Sequence, residues 1–239
     1  MAESSPPADP ATALSGREGE TSDLLLDRLA HDLRGPLSPL QTAAYLLRRP
    51  EIEPDQREEL LSIIDRQTAR LSTMVQEVSD WMRVRQSRLV LHRAPVAPAL
   101  VVELSSVSSG VDVKSQLEAG LDDLAVDGDV QRLVQMLSTL MAFMQVRACD
   151  GPVTVRAKAG AANVFFEIAS PGTHWASGER EALFAAAETV PFDEGLGMRL
   201  LIARAIAAAH GGNIIASADA DGSALIRVDV PCMAVEVER

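Results

Sequence analysis

Between residues 26 and 81 the chain twice repeats an alternating four-three step. The first run is Leu26, Ala30, Leu33, Leu37, Leu40, Ala44 and Leu47; the second is Leu60, Ile64, Gln67, Leu71, Met74, Val78 and Trp81. A step averaging 3.5 residues lays one narrow stripe along each of two helices. Ser22 is the candidate N-cap of the first. Pro50 and Pro54 bracket a short connection, so the pattern predicts an antiparallel hairpin. Gln67 is the one polar member of its stripe, a residue type that fixes register. Stripes this narrow do not enclose a core in one hairpin. Two hairpins joined as a four-helix bundle bury both, which predicts a homodimer. The alternative is a hairpin packed on the rest of its own chain.

Past residue 84 the period changes. The segment VRQSRLVLHRAPVAP reads as a linker with a short strand, and VDVKSQLE and DLAV read as strands. A helix follows in DGDVQRLVQMLSTLMAFMQVRA, with Asp127 or Asp129 near its start. PVTVRAKA and NVFFEIAS make a hairpin around Gly160, and GMRLLIARAIAAAH is a helix stopped by Gly211-Gly212. NIIASAD and SALIRVDV form a last hairpin at Asp221-Gly222. The order predicts an α+β chain: the helical hairpin, then an α/β sandwich of one mixed sheet with helices on one face.

A formal net charge of −12 argues against a general nucleic-acid binder, which needs a basic face. No apolar run reaches the roughly 18–20 residues that span a bilayer, so no membrane is expected. The first twenty residues, rich in Pro, Ala, Ser and Glu, have neither the basic start nor the apolar stretch of a signal peptide. They read as a disordered tail, and the cytoplasm is the expected location. Cys149 and Cys232 have no metal-type spacing and read as free thiols in a reducing compartment.

In the heptad frame Ala30 and Leu33 point into the stripe, which leaves His31 on the flank with Asp32 beside it. An exposed imidazole keeps one nitrogen free to attack while a neighbouring carboxylate holds the other. Pro36 has no N–H for the carbonyl of Asp32, so a bend is expected at the His-Asp turn. The plainer alternative is a kinked helix with an incidental surface histidine.

The string HDLRGPL, residues 31–37, resembles the phosphoacceptor box of the histidine kinases of two-component signalling. The element order is similar as well, over about residues 22–231. The resemblance implies a tail at 1–21, a dimerisation and phosphoacceptor hairpin at 22–86, an ATPase-type sandwich at 98–231 and a tail at 232–239. It also implies that His31 carries the phosphoryl group and that Asp32 assists proton transfer. Gly35 stands where many members have Thr or Asn to assist dephosphorylation of the partner regulator. Receivers would grip the hairpin below His31, around Ser38, Gln41 and Tyr45.

The resemblance weakens in the sandwich. Gln135, Thr139 and Phe143 lie four apart on one helix, and Thr139 and Phe143 fall where the family has Mg²⁺-binding asparagines. Ser170 replaces the carboxylate that holds adenine; Gly172 remains, and His174 stands in place of the next glycine. Gly195, Leu196 and Gly197 survive from the glycine motif, but Asp193 and Glu194 put negative charge where triphosphate would lie. Phe184 matches the phenylalanine before a lid that is short here. The expectation is a degenerate ATP site at Thr139, Phe143, Ser170, Gly172, Gly195 and Gly197, with no metal and no cofactor of its own.

The favoured reading is therefore a phosphorelay protein resembling the dimeric histidine phosphotransferases. Its partners would be receiver domains of response regulators, which bring their own Mg²⁺, and among the candidates a hybrid kinase. A divergent but active ATP-dependent protein-histidine kinase is the first alternative, with ATP and Mg²⁺ as cofactors. A non-catalytic regulatory scaffold is the second.

Overall fold

The computed structural model describes residues 31–148 and 151–234. Ser22, the first seam residues, Cys149 and the last residues of the C-terminal tail lie outside them. The chain divides into two compact units after Val75.

The first unit is helical. Helix α1 is helical from 31 through 46, and a short turn leads into α2 (Pro54–Arg85). The helix runs through both Pro36 and Pro39. Its buried positions are Pro36 and Ala43, seven residues apart, while Leu37 is exposed and Leu33, Leu40 and Ala44 are half-buried. The stripe is thus turned by one residue from the expected line, because within one hairpin the helix packs on Pro36 and Ala43. On α2 the expectation holds more closely: Gln67 and Met74 are buried and Leu60, Ile64 and Leu71 half-buried.

In the second unit, strand β1 (Ala94–Val96) leads into helix α3 (Pro98–Ser109), for which the pattern above names no element. Its serines and valines are weak helix formers. The hydroxyls of Ser105 and Ser106 bond back to the carbonyls of Val101 and Val102, at 2.6 and 2.8 Å, so the polar groups are satisfied inside the helix. Strands β2 (Val113–Leu117) and β3 (Leu124–Gly128) follow, separated by a 3₁₀ turn at Leu121–Asp123. Then come α4 (Val130–Arg147), β4 (Val153–Ala159) and β5 (Asn163–Ser170). After α5 (Glu179–Ala182) the chain forms α6 (Arg199–Ala209), β6 (Asn213–Ala218), β7 (Ala224–Pro231) and β8 (Met233–Ala234).

The strands make two sheets, not the single one expected. Five form a mixed sheet in the order β2-β4-β5-β7-β6, with only β2-β4 parallel, and β1-β3-β8 form a separate antiparallel sheet. The DLAV strand pairs with the linker strand and so leaves the main sheet. On the large sheet Val155, Ala157, Phe166, Ile168, Ile226 and Val228 are buried, as are Leu133, Met136, Leu137, Leu140, Met141 and Met144 of α4. Each fully buried aliphatic side chain is worth roughly 1.5–3 kcal/mol, which makes this aliphatic layer the main source of stability. Asp129 is the N-cap of α4, its carboxylate accepting from the Arg132 N–H at 3.2 Å.

Candidate functional site

His31 has a side chain 84% exposed, with its Nδ1 3.2 Å from Asp32 Oδ1. The contact leaves Nε2 facing outward from the ring's far side. The placement on the flank, rather than in the stripe, follows from the half-buried Leu33 two positions on. Ser38, Gln41 and Tyr45 are all exposed on α1.

The sandwich positions singled out in the sequence are buried. Thr139 is 3% exposed, and its hydroxyl accepts from Arg199 Nη2 at 3.3 Å. Phe143, 2% exposed, stands edge-on to Phe192 with ring centroids 5.4 Å apart. The Arg147 guanidinium lies 5.3 Å from the centroids of both Phe143 and Trp175, and that of Arg199 lies 5.6 Å from Phe192. Stacked cations and an edge-to-face pair together fix this cluster. Gln135 points elsewhere, donating to Asp80 Oδ2 at 2.8 Å.

Ser170 closes β5 with no exposure, its hydroxyl 3.1 Å from that of Thr173. Thr173 in turn donates to the carbonyl of Arg147 at 2.8 Å. Gly172 takes a positive φ of 72° that turns the chain out of the strand. His174 bonds through Nδ1 to the carbonyl of Gly222 at 2.8 Å.

The turn before α6 holds a residue that the sequence pattern passes over. Glu77, 4% exposed, accepts from the Leu196 N–H through Oε2 at 2.7 Å, and its Oε1 is buried without a partner. A Cβ on Gly195 would stand 2.2 Å from that Oε1, so glycine makes room for the carboxyl. Gly197, at φ 78°, packs on the backbone of Glu188, whose N–H donates to its carbonyl at 2.9 Å. Asp193 does not stand as uncompensated charge: it pairs with Arg199 and accepts from the Gly195 N–H at 2.8 Å. Burial, with Asp193 nearby, raises the Glu77 pKa to about 7 against the pull of the Leu196 N–H. Burial raises Glu188 to about 7 as well, assisted by Asp193 and Glu77. Both carboxyls therefore titrate near neutrality.

Three residues beyond Glu77, Asp80 is fully buried and binds Arg132 at 2.9 Å and Gln135. Glu77 and Asp80 were legible only as acids flanking the Val78 and Trp81 line. Those two are half-buried, whereas the acids are the buried positions. At the positions singled out, α4 carries Thr139 and Phe143 and β5 ends on Ser170. No group of three or more metal-ligating acids, histidines or cysteines occurs among the described residues. No helix among them is long and apolar enough to cross a membrane.

Residues 22–87 match the His Kinase A (phospho-acceptor) domain. Over 229 residues, 90% of the chain, the sequence is 28% identical to the sensor protein KdpD of Mycobacterium tuberculosis. Over 222 residues, 87% of the chain, it is 24% identical to the histidine protein kinase DivJ of Caulobacter vibrioides. The chain spans only 26% and 37% of the lengths of these relatives. Among solved structures, histidine kinase ThkA in complex with the response regulator protein TrrA superposes with a TM-score of 0.65 at 19% identity, covering 90% of this chain and 64% of that one. The Acinetobacter baumannii histidine kinase AdeS gives 0.63 at 19%, covering 84% and 97%. The helical hairpin followed by the mixed-sheet unit is the fold of these kinases.

Proposed function

The chain belongs to the two-component histidine kinase family, and from that premise we propose that it works as a histidine phosphotransfer protein whose sandwich no longer uses ATP. The observation that carries the reading is the packing of Phe143: where the family pattern requires a metal-binding amide, a phenyl ring is buried against Phe192 and capped by Arg147. Ser170 and Thr139 have committed hydroxyls, and the glycine turn already holds the carboxyl of Glu77. These residues do not fit Mg²⁺-ATP.

The acceptor pair supports the transfer half of the reading. His31 Nε2 attacks the phosphorus of an aspartyl phosphate on a receiver domain. The N–P bond forms as the P–O bond to the aspartate breaks, and the carboxylate leaves with that electron pair. The Nδ1–H stays on the ring, and the positive charge that develops there is shared with Asp32 at 3.2 Å. Attack by the aspartate of a second receiver reverses the step. The receiver brings its own Mg²⁺, so the hairpin has only to present an accessible nucleophile. The exposed Leu37, with half-buried Leu33, Leu40 and Ala44, gives α1 an apolar strip fit for a second copy, in a homodimeric four-helix bundle.

The test is incubation with radiolabelled ATP and, separately, with a phosphorylated receiver domain. Label on His31 only from the receiver, lost in H31Q, is the expected result. Label on His31 from ATP would replace this reading with that of an active kinase. Label from neither would leave the regulatory scaffold. Charged substitutions at Ser38, Gln41 and Tyr45 should abolish transfer without unfolding the protein, if receivers dock on that face.

A further inference from the structure

We propose that the groove between the end of α2 and the first turn of α4 binds a small phosphate-bearing anion. It is a separate site from the glycine turn and lies wholly within the second unit. Its void measures about 460 Å³, in the size range of small-molecule sites. Arg83, Arg88 and Arg132 converge on it from α2, the linker and α4, with His92, Asp129 and Gln135 completing the walls. In a chain of net charge −12, three guanidinium groups in one hollow are a local reversal of sign.

The hydrogen bonds show which kind of ligand the groove can take. Both carboxylates at the groove are already committed. Asp80 lies beneath it, fully buried; Oδ1 takes the Nη1 groups of Arg132 and Arg83 at 2.9 and 3.3 Å, and Oδ2 takes the Gln135 amide at 2.8 Å. Asp129 receives the Arg132 and His92 backbone N–H groups on its two oxygens, at 3.2 and 2.9 Å. The donors are in surplus. A guanidinium offers five N–H groups. Arg132 spends only Nη1, on Asp80 and on Gln135 Oε1 at 2.7 Å, and that pair fixes its plane. Arg83 likewise spends one nitrogen, and the Arg88 guanidinium makes no ion pair among the described residues.

The groove therefore suits an acceptor with many oxygens. A carboxylate has two, which one guanidinium fork satisfies. A phosphoryl group has three or more in a tetrahedral array, and a diphosphate still more, enough for forks arriving from three elements. Val90 is the one apolar lining residue, so the site asks for charge and not for a ring or an acyl chain.

The experiment is isothermal titration of the full chain with pyrophosphate, tripolyphosphate and citrate at about 0.15 M salt. Saturable one-to-one binding of the phosphate compounds is expected, at least tenfold weaker in R88Q and lost in R83Q/R88Q. Arg88 has no ion pair to lose, so R88Q leaves the fold intact, and circular dichroism checks it. Absence of saturation at 10 mM, or affinities unchanged in the double variant, overturns the site. Citrate binding as tightly as pyrophosphate overturns the assignment to phosphate. ATP carries the same triphosphate: ATP binding lost in R83Q/R88Q supports this groove, while ATP binding retained there belongs to the sandwich and counts against the proposed function instead.

Discussion

Replacing Glu77 with Gln should make the second unit more stable, and more so as the pH rises. The carboxyl sits at a pKa of about 7 in the fold against 4.5 in the unfolded chain. A carboxyl whose folded pKa is raised contributes stability fully below about pH 4.5 and loses it as the pH rises through about 7. At about 1.4 kcal/mol per pH unit, the ionised carboxyl costs about 3 kcal/mol at pH 8 and about 1 at pH 5. An amide avoids that cost, and its carbonyl oxygen can still accept from the Leu196 N–H, the bond that Oε2 makes at 2.7 Å. Trp81 and Trp175 both belong to the second unit, so urea unfolding followed by tryptophan fluorescence reads the right part of the chain. The expected result is a wild-type stability that falls between pH 5 and 8, with a shallower fall in E77Q from the remaining titration of Glu188. Near pH 8 the gap corresponds to roughly 6–12 °C in Tm, at about 2–4 °C per kcal/mol. A wild-type stability that is flat or rising over this range, or an E77Q profile parallel to it, would refute the reasoning.

Other outcomes follow from the same geometry. Glu167 stands in register with Arg156 on one side and Arg227 on the other, with Lys158 at 2.7 Å. Burial pushes its pKa up, but Lys158 and Arg227 outweigh that and hold it below the ordinary value. E167Q should cost about 2 kcal/mol at pH 7, allowing for partly exposed cations, and the loss should shrink as the pH falls through the carboxylate range; urea midpoints at pH 7 and pH 3 check both. His210 accepts the Asp129 N–H at 3.1 Å through Nε2 and bonds the Ile206 carbonyl at 2.7 Å through Nδ1, which requires the neutral ring. Burial lowers its pKa, so stability should fall as the pH drops below the ordinary histidine value of 6.5, a dependence that H210A should lose. L40E or L71E should convert the proposed dimer to monomer in light scattering, because an unpaired charge in the bundle costs several kcal/mol; a monomeric wild type would sink the dimer.

Elements with a strong local period were legible in the sequence. Helices α4 and α6 and the two β-hairpins at Gly160 and Asp221-Gly222 stand where their patterns place them, because the buried face there is built from regular apolar steps; α1 and α2 are helices as expected, although the buried face of α1 lies one residue off its predicted stripe. Helix α3 was not legible, since its serines hide their hydroxyls only once the helix has formed. The second sheet was not legible either, because strand pairing between residues 94–96, 124–128 and 233–234 is set by tertiary packing and not by any local signal. At the site, the replaced positions could be named only through the resemblance to the histidine kinase pattern. What occupies them could not: Phe192, Arg147, Arg199 and Glu77 come from distant segments, and nothing in the spacing of Thr139 and Phe143 announces them.

The occupants fit one another in charge as well as in shape. Asp193 and Arg199 arrive together, six residues apart, so the acid at the first position of the glycine motif is neutralised locally. Arg147 stacks on Phe143 and Trp175 and also pairs with Glu179 at 2.6 Å, which ties α4 to the segment following β5. Glu77 takes the Leu196 N–H, a backbone donor that would otherwise need an anion from outside. Buried polar groups must be satisfied by something, whether ligand or protein. In this sandwich side chains take up the Thr139 and Ser170 hydroxyls and the Leu196 N–H, while Glu77 Oε1 stays buried without a partner. On the proposed reading the same logic runs the other way on the hairpin, where the Nε2 of His31 is left to solvent because its partner, the phosphoryl group of a receiver, has to arrive and depart.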